Sequence, residues 1–186
     1  SLIRAFASKG IDFLVVVTND GWFQDSRELD EHFAINRFRA VENRLPIVYS
    51  TSRILDAVAD RWRCQLNENA GVLCHVNSFP EHNHNEIMGM GRPRHPGRNV
   101  VVIALLDRET HPRTRYRLES VLDITGKAYH LAMRQESEGR SRLARIFSLI
   151  MLGDFVSVEL ARLVGKDAME IKRIDELKRR MAQKRG

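Results

Sequence analysis

The sequence predicts an α/β fold built on a parallel sheet, and three observations carry that prediction. Asn99–Leu106 (NVVVIALL) is almost uniformly apolar, the composition of a strand covered on both faces in a parallel sheet. A second β-branched run, Ile11–Thr18 (IDFLVVVT), closes on the turn signal Asn19-Asp20-Gly21. Between such runs lie longer segments whose apolar residues recur at helical spacing. Strands alternating with helices imply βαβ units.

Taken in order, Ile11–Thr18 reads as a buried strand and Glu28–Arg44 as a helix, with Leu29, Phe33, Ile35, Phe38 and Val41 near helical spacing. Pro46 stops that helix, and Ile47–Ser50 is a short strand. From Arg53 to about Asn67, Ile54, Leu55, Val58, Ala59, Trp62 and Leu66 share one helical side. Val72–Val76 is a short strand, Glu81–Asn85 a polar loop or helix start, and Gly89–Gly97 a connector rich in glycine and proline. After Asn99–Leu106, His111-Pro112 opens a helix that runs through about Thr125 and closes at Gly126. Tyr129–Met133 is a weaker strand. Ser141–Val164 is a long amphipathic helix ended by Gly165, and Ala168–Gln183 is a last, basic helix.

Composition narrows the function classes. With 43% hydrophobic and 29% charged residues among 186, the chain can bury a core and is not expected to be disordered. The net charge of +6 gathers at the end, between Lys172 and Arg185. No aromatic residues interleave there, so the reading is a solvated basic face, with no nucleic-acid partner expected. Two cysteines, Cys64 and Cys74, are too few for a disulfide framework and point to a cytoplasmic location. Ile146–Leu152 is the longest apolar candidate and falls well short of a membrane span of about 18 residues, so no membrane association is expected. No signal peptide is expected either. The sequence starts at Ser1 and lacks an initiating methionine, which sets the expectation of a cut through a longer chain.

The chemistry concentrates in residues 66–90, LNENAGVLCHVNSFPEHNHNEIMGM. Cys74, His75, His82 and His84 could ligate zinc, but C-H-x6-H-x-H contains no closely spaced pair of the kind a turn presents to one ion. Cys74 and His75 are adjacent on an expected strand and point to opposite faces. No metal and no other cofactor is expected. Acid–base work is the alternative. Glu68 lies between Asn67 and Asn69 after a helix, where a carboxylate beside amides can act as a general base. His84 follows 16 residues later and suits proton transfer near neutral pH. On residues alone a structural role, with Glu68 capping a turn and His84 bonded to backbone, is the stronger reading.

The stretch QLNENAGVLCHVNSFPEHNHNEIMG resembles the NENAK…FPELNHNE region of bifunctional phosphoglucose/phosphomannose isomerases. VVVIALLDRETHPRTRYRLE and RLARIFSLIMLGDFVSVELARLVGKDAMEIKRIDELK resemble the following strand and C-terminal helices of that family. The resemblance runs from about Arg53 to the end. It implies that residues 52–186 form a second sugar-isomerase (SIS) domain, an α/β/α sandwich with a parallel sheet. It further implies interconversion of glucose 6-phosphate, and possibly mannose 6-phosphate, with fructose 6-phosphate through a cis-enediol, without metal. Glu68 would be the base, His84 the ring-opening proton shuttle and Lys178 of IDELK a positive charge near the ring oxygen. Asn67, Asn69, Asn83 and Asn85 would contact the phosphosugar. A homodimer is implied, with the histidine donated across its interface.

Departures limit what carries over. Gly71 stands where the family has lysine, His82 where it has leucine, and its Thr-Pro pair is replaced near Met169-Glu170. The family's first SIS domain grips phosphate with Ser/Thr hydroxyls. Thr51-Ser52 is the nearest equivalent here, and on sequence it stands in the wrong context. A phosphosugar-binding module without catalysis and an inert fusion therefore stay open.

Residues 1–51, including GIDFLVVVTNDGWF and RAVENRLPIV, resemble the later part of a nitrilase-type domain, in particular that of apolipoprotein N-acyltransferase. The cysteine nucleophile of that family lies before this region, so its chemistry does not carry over. The expectation is a strand–helix–strand piece from a nitrilase-like fold; such a piece can replace an edge of another parallel sheet because both bury parallel strands beneath helices, and whether it does so here is open on sequence.

Overall fold

The computed structural model describes residues 44–90 and 99–184. The expected strand Ile11–Thr18, the helix Glu28–Arg44 except its last residue, and most of the connector Gly89–Gly97 lie outside the described residues. The elements are β1 (Leu45–Ser50), α1 (Arg53–Glu68), β2 (His75–Ser78), a 3-10 turn (Glu81–His84), α2 (Glu86–Gly89), β3 (Val100–Leu106), α3 (Pro112–Ile124), β4 (Leu131–Glu136), α4 (Arg142–Val164) and α5 (Lys172–Gln183).

The four strands form one parallel sheet in the order β2-β1-β3-β4. The alternation of side chains along each strand builds two cores. Val48, Val101, Ile103, Leu105 and Met133 face α1 and α4, meeting Leu55, Val58, Trp62, Leu149 and Val156. Ile47, Tyr49, Val102, Ala104 and Leu106 face the other way, against Leu118, Val121 and Leu122 of α3, with Phe79, Ile87 and Met90 from the segment after β2. The result is the expected α/β/α sandwich. β3 is buried along its whole length, as its composition required.

β1 is a central strand of the described sheet, paired with β2 on one side and β3 on the other.

Boundary shifts have local causes. β2 begins at His75 rather than Val72, because the chain first closes α1 through Gly71 at φ 66 and a bond from Val72 N–H to the Leu66 carbonyl (3.0 Å). α5 begins at Lys172 rather than Ala168, because Asp167 turns the chain, its carboxylate accepting from Met169 N–H (2.9 Å). β4 begins at Leu131, the Tyr129 hydroxyl being taken up by the Leu122 carbonyl.

Gly153 lets the Trp62 ring lie against the α4 backbone, where the indole N–H donates to the Leu149 carbonyl at 2.8 Å. On the outer side of α4 Leu143, Phe147, Met151, Phe155 and Val158 are all exposed, each about one turn from the next.

Candidate active site

α1 runs back along the sheet and presents Glu68 as its last residue, exposed. Asn67 bonds within its own helix, Nδ2 to the Arg63 carbonyl at 2.7 Å. Asn69 closes the helix through its N–H to the Gln65 carbonyl (2.9 Å) and reaches α4 with Nδ2 on Ser157 Oγ (2.8 Å). The turn is fastened from outside by Lys166, whose ammonium donates to the carbonyls of Glu68 (2.7 Å) and Asn69 (2.9 Å).

The second group lies in the segment after β2. His84 ends the 3-10 turn and is exposed. Asn85 accepts from Glu86 N–H at 2.5 Å, opening α2, and donates to Glu81 at 3.2 Å. Asn83 keeps a buried, unpartnered side-chain oxygen. Glu86 anchors the segment, accepting from the Tyr49 hydroxyl (2.5 Å), Asn77 Nδ2 (2.6 Å) and His75 Nε2 (3.0 Å). Burial pushes the Glu86 carboxyl up, but these three donors outweigh it and hold it below its ordinary range. Burial, and then the Glu86 charge, drive the Tyr49 hydroxyl far above its ordinary value.

The single chain thus assembles two clusters, Asn67-Glu68-Asn69 with Lys166, and Asn83-His84-Asn85 with Glu86. Glu68 ends a helix covering one face of the sheet, whereas residues 79–90 pack on the other face. Lys178 stands on α5, exposed, on a helix with no buried residue. Glu86, Lys166 and Tyr49 were missed on sequence. The short NHNE run held the signal for Glu86, while only the fold brings Lys166 to Glu68.

Thr51-Ser52 requires a correction. The pair follows β1 directly and opens α1, with Ser52 as N-cap residue, which is the strand–turn–helix context that the sequence reading denied it. It lies where the order β2-β1-β3-β4 switches direction, the place where open α/β sheets bind ligands. Its hydroxyls are largely engaged. Thr51 Oγ1 donates to the Leu105 carbonyl (2.8 Å) and lies 2.9 Å from Thr110 Oγ1. The neighbouring Ser50 hydroxyl donates to Asp56. The Ser52 hydroxyl is buried without a partner. Beside it, Asp107 is bonded by Arg145 Nε (2.7 Å), the Ser137 hydroxyl (2.5 Å) and Glu109 N–H (2.8 Å).

Among the described residues no three His, Cys, Asp or Glu side chains gather as a metal site, and no helix is long and apolar enough to cross a membrane. Cys74, just before β2, is buried, and His75, the first residue of β2, is exposed.

Residues 32–181 match the family model described as the bacterial phospho-glucose isomerase C-terminal SIS domain. The chain belongs to that family. This SIS domain is 40% identical over 141 residues to bifunctional phosphoglucose/phosphomannose isomerase of Caldicellulosiruptor bescii, an alignment covering 76% of this chain and 42% of the relative. The SIS domain chain therefore spans less than half the length of that relative. Among solved structures, a glucose-6-phosphate isomerase like protein from Thermus thermophilus aligns at TM-score 0.61 and 17% identity, over 74% of this chain and 45% of the other; that likeness concerns the fold. A shorter match, 46% identical over 52 residues, links 28% of this chain to 10% of apolipoprotein N-acyltransferase of Bdellovibrio bacteriovorus.

Proposed function

We propose that this chain carries the base-bearing half of a cytoplasmic phosphosugar isomerase that interconverts glucose 6-phosphate and fructose 6-phosphate. The observation that carries the reading is the asparagine-flanked Glu68 on a fastened helix end, in a chain 40% identical to a bifunctional isomerase. Glu68 takes the C2 proton of the open-chain aldose and returns it to C1 of the enediol. A hydroxyl proton moves between O2 and O1, so the substrate is isomerised without net redox change. His84 opens the ring by moving a proton between the ring oxygen and the C1 hydroxyl. Lys178 supplies positive charge near the ring oxygen, and Asn67, Asn69, Asn83 and Asn85 hold hydroxyls.

Glu68 and His84 belong to opposite faces of one chain, which favours a site completed by a second copy. We assign the exposed apolar row on the outer side of α4 as a homodimer surface, separate from any contact that brings the partner's His84 to Glu68, because α4 packs on the face opposite residues 79–90. Two α4 helices packed antiparallel about a twofold through Met151 would set Phe147 against Phe155 in one isologous apolar contact. Residues 1–51 we read as a nitrilase-type fragment without its nucleophile, joined to the SIS domain near Ser52.

The test is turnover. The chain is incubated with fructose 6-phosphate, alone and with a first SIS domain from a relative, and glucose 6-phosphate is detected by a coupled assay. Turnover that disappears in Glu68→Gln supports the reading. No turnover in either format removes the enzymatic claim, and phosphosugar binding by calorimetry without turnover would make the chain a sensing module.

A further inference from the structure

Lys166 lies between α4 and α5, one residue beyond Gly165, whose φ of 72 ends α4. Its ammonium stands 2.7 Å from the Glu68 carbonyl, 2.9 Å from that of Asn69, 3.2 Å from that of Asp167 and 3.3 Å from that of Glu170. Two of these oxygens belong to the end of α1 and two to the linker before α5. An ammonium has three protons, so the four carbonyls share them.

α1 needs such a partner. The last carbonyls of a helix lack intrahelical donors, and a cation there is favourable. α1 has no basic residue in its own last turn. Gly71 adds room beside the lysine stem, since a Cβ there would stand 3.2 Å from Lys166 Cδ. The linker gains as well, since Glu170 lies two residues ahead of α5.

We propose that Lys166 is a positioning residue, whose ammonium fixes the Glu68 turn and locks it to the segment that leads into the Lys178 helix. The role in turnover rests on the isomerase reading. The clamp itself does not. By tying both segments to one charge, Lys166 sets the distance between carboxylate and helix, and so controls the chemical step more than substrate affinity.

The test uses the full chain with a supplied first SIS domain and three variants: Lys166→Met, Lys166→Ala and, as a control on a distant exposed lysine, Lys127→Met. Hydrogen exchange of amides 69–72 and 170–173 is read beside kinetics with fructose 6-phosphate. The expected result for Lys166→Met is faster exchange in both segments together, and kcat at least tenfold lower with KM within twofold. In Lys166→Ala, methylammonium ions restore kcat saturably, and Lys127→Met leaves every readout unchanged. Loosening of only one segment, or of neither, overturns the clamp. Loosening of both with unchanged kcat overturns the positioning role. A wild-type chain without turnover whose Met variant still loosens both segments refutes the isomerase reading and leaves the clamp standing.

Discussion

The imidazole of His82 lies stacked on the ring of Phe79, centroids 5.0 Å apart and planes 13° apart, fully buried and with neither ring nitrogen hydrogen-bonded. Tyr49 closes over both rings edge-on. Burial lowers the His82 pKa, with His75 acting in the same sense, and the opposing pull of Glu86 and Asn83 does not restore it. The unfolded chain then binds this proton more readily, so stability falls as pH drops below about 6.5 and until the folded imidazole protonates. His82→Phe keeps the stack and removes two unpaired nitrogens. Melting at pH 7 should be unchanged or higher, and the fall between neutral pH and pH 5 should flatten.

Asp107 sets a second, more acidic limb. Burial pushes its carboxyl up, but bonds from Arg145, Ser137 and the Glu109 N–H outweigh that and hold it at about 2, below the ordinary 3.8. The carboxyl's folded pKa is depressed, so its stabilisation is complete above about pH 4 and is lost as pH falls through 2. A shift of this size corresponds to about 2 kcal/mol. Denaturant unfolding of wild type and Asp107→Asn should differ at pH 6 and converge near pH 2.

Gly153→Ala tests the packing of α1 on α4. An added Cβ would stand 2.4 Å from Trp62 Nε1 and 2.6 Å from Cδ1. The buried ring has no room to retreat, and its N–H bond to Leu149 would break or bend. A loss of about 2–3 kcal/mol is expected from urea unfolding.

The two cysteines should differ sharply toward a thiol reagent at neutral pH. Cys64 is exposed, while burial pushes the Cys74 thiol up to about 12. One equivalent should react with the native chain and two after denaturation.

The α4 surface predicts an oligomeric state. Sedimentation of the wild type should give a dimer, and Phe147→Glu or Phe155→Glu should give a folded monomer of unchanged circular dichroism. A monomeric wild type would refute the assigned surface.

What could be read from sequence follows the reach of each signal. β3 was legible because seven buried residues in a row leave no other reading, and α4 because Ser141 and Gly165 mark its two ends. The start of β2 was misplaced because Val72–Val76 is apolar, but its first residues serve the closure of α1. Tertiary closure outranked local β propensity there. Glu68 and His84 were named from a motif, yet sequence spacing carries no information on which face of a sheet a residue reaches. Lys166 meets Glu68 across 98 positions, a proximity that no local pattern encodes.

The place of β1 bears on how the chain can be divided. Its six residues pair with β3 on one flank and Ile47–Ser50 pair with β2 on the other, and the family match starts at residue 32, upstream of them. A protein begun at Ser52 would lose its middle rung and leave β2 and β3 without the partner they share. The residues on both sides of Ser52 therefore share one sheet, and any trimming must stop upstream of Leu45.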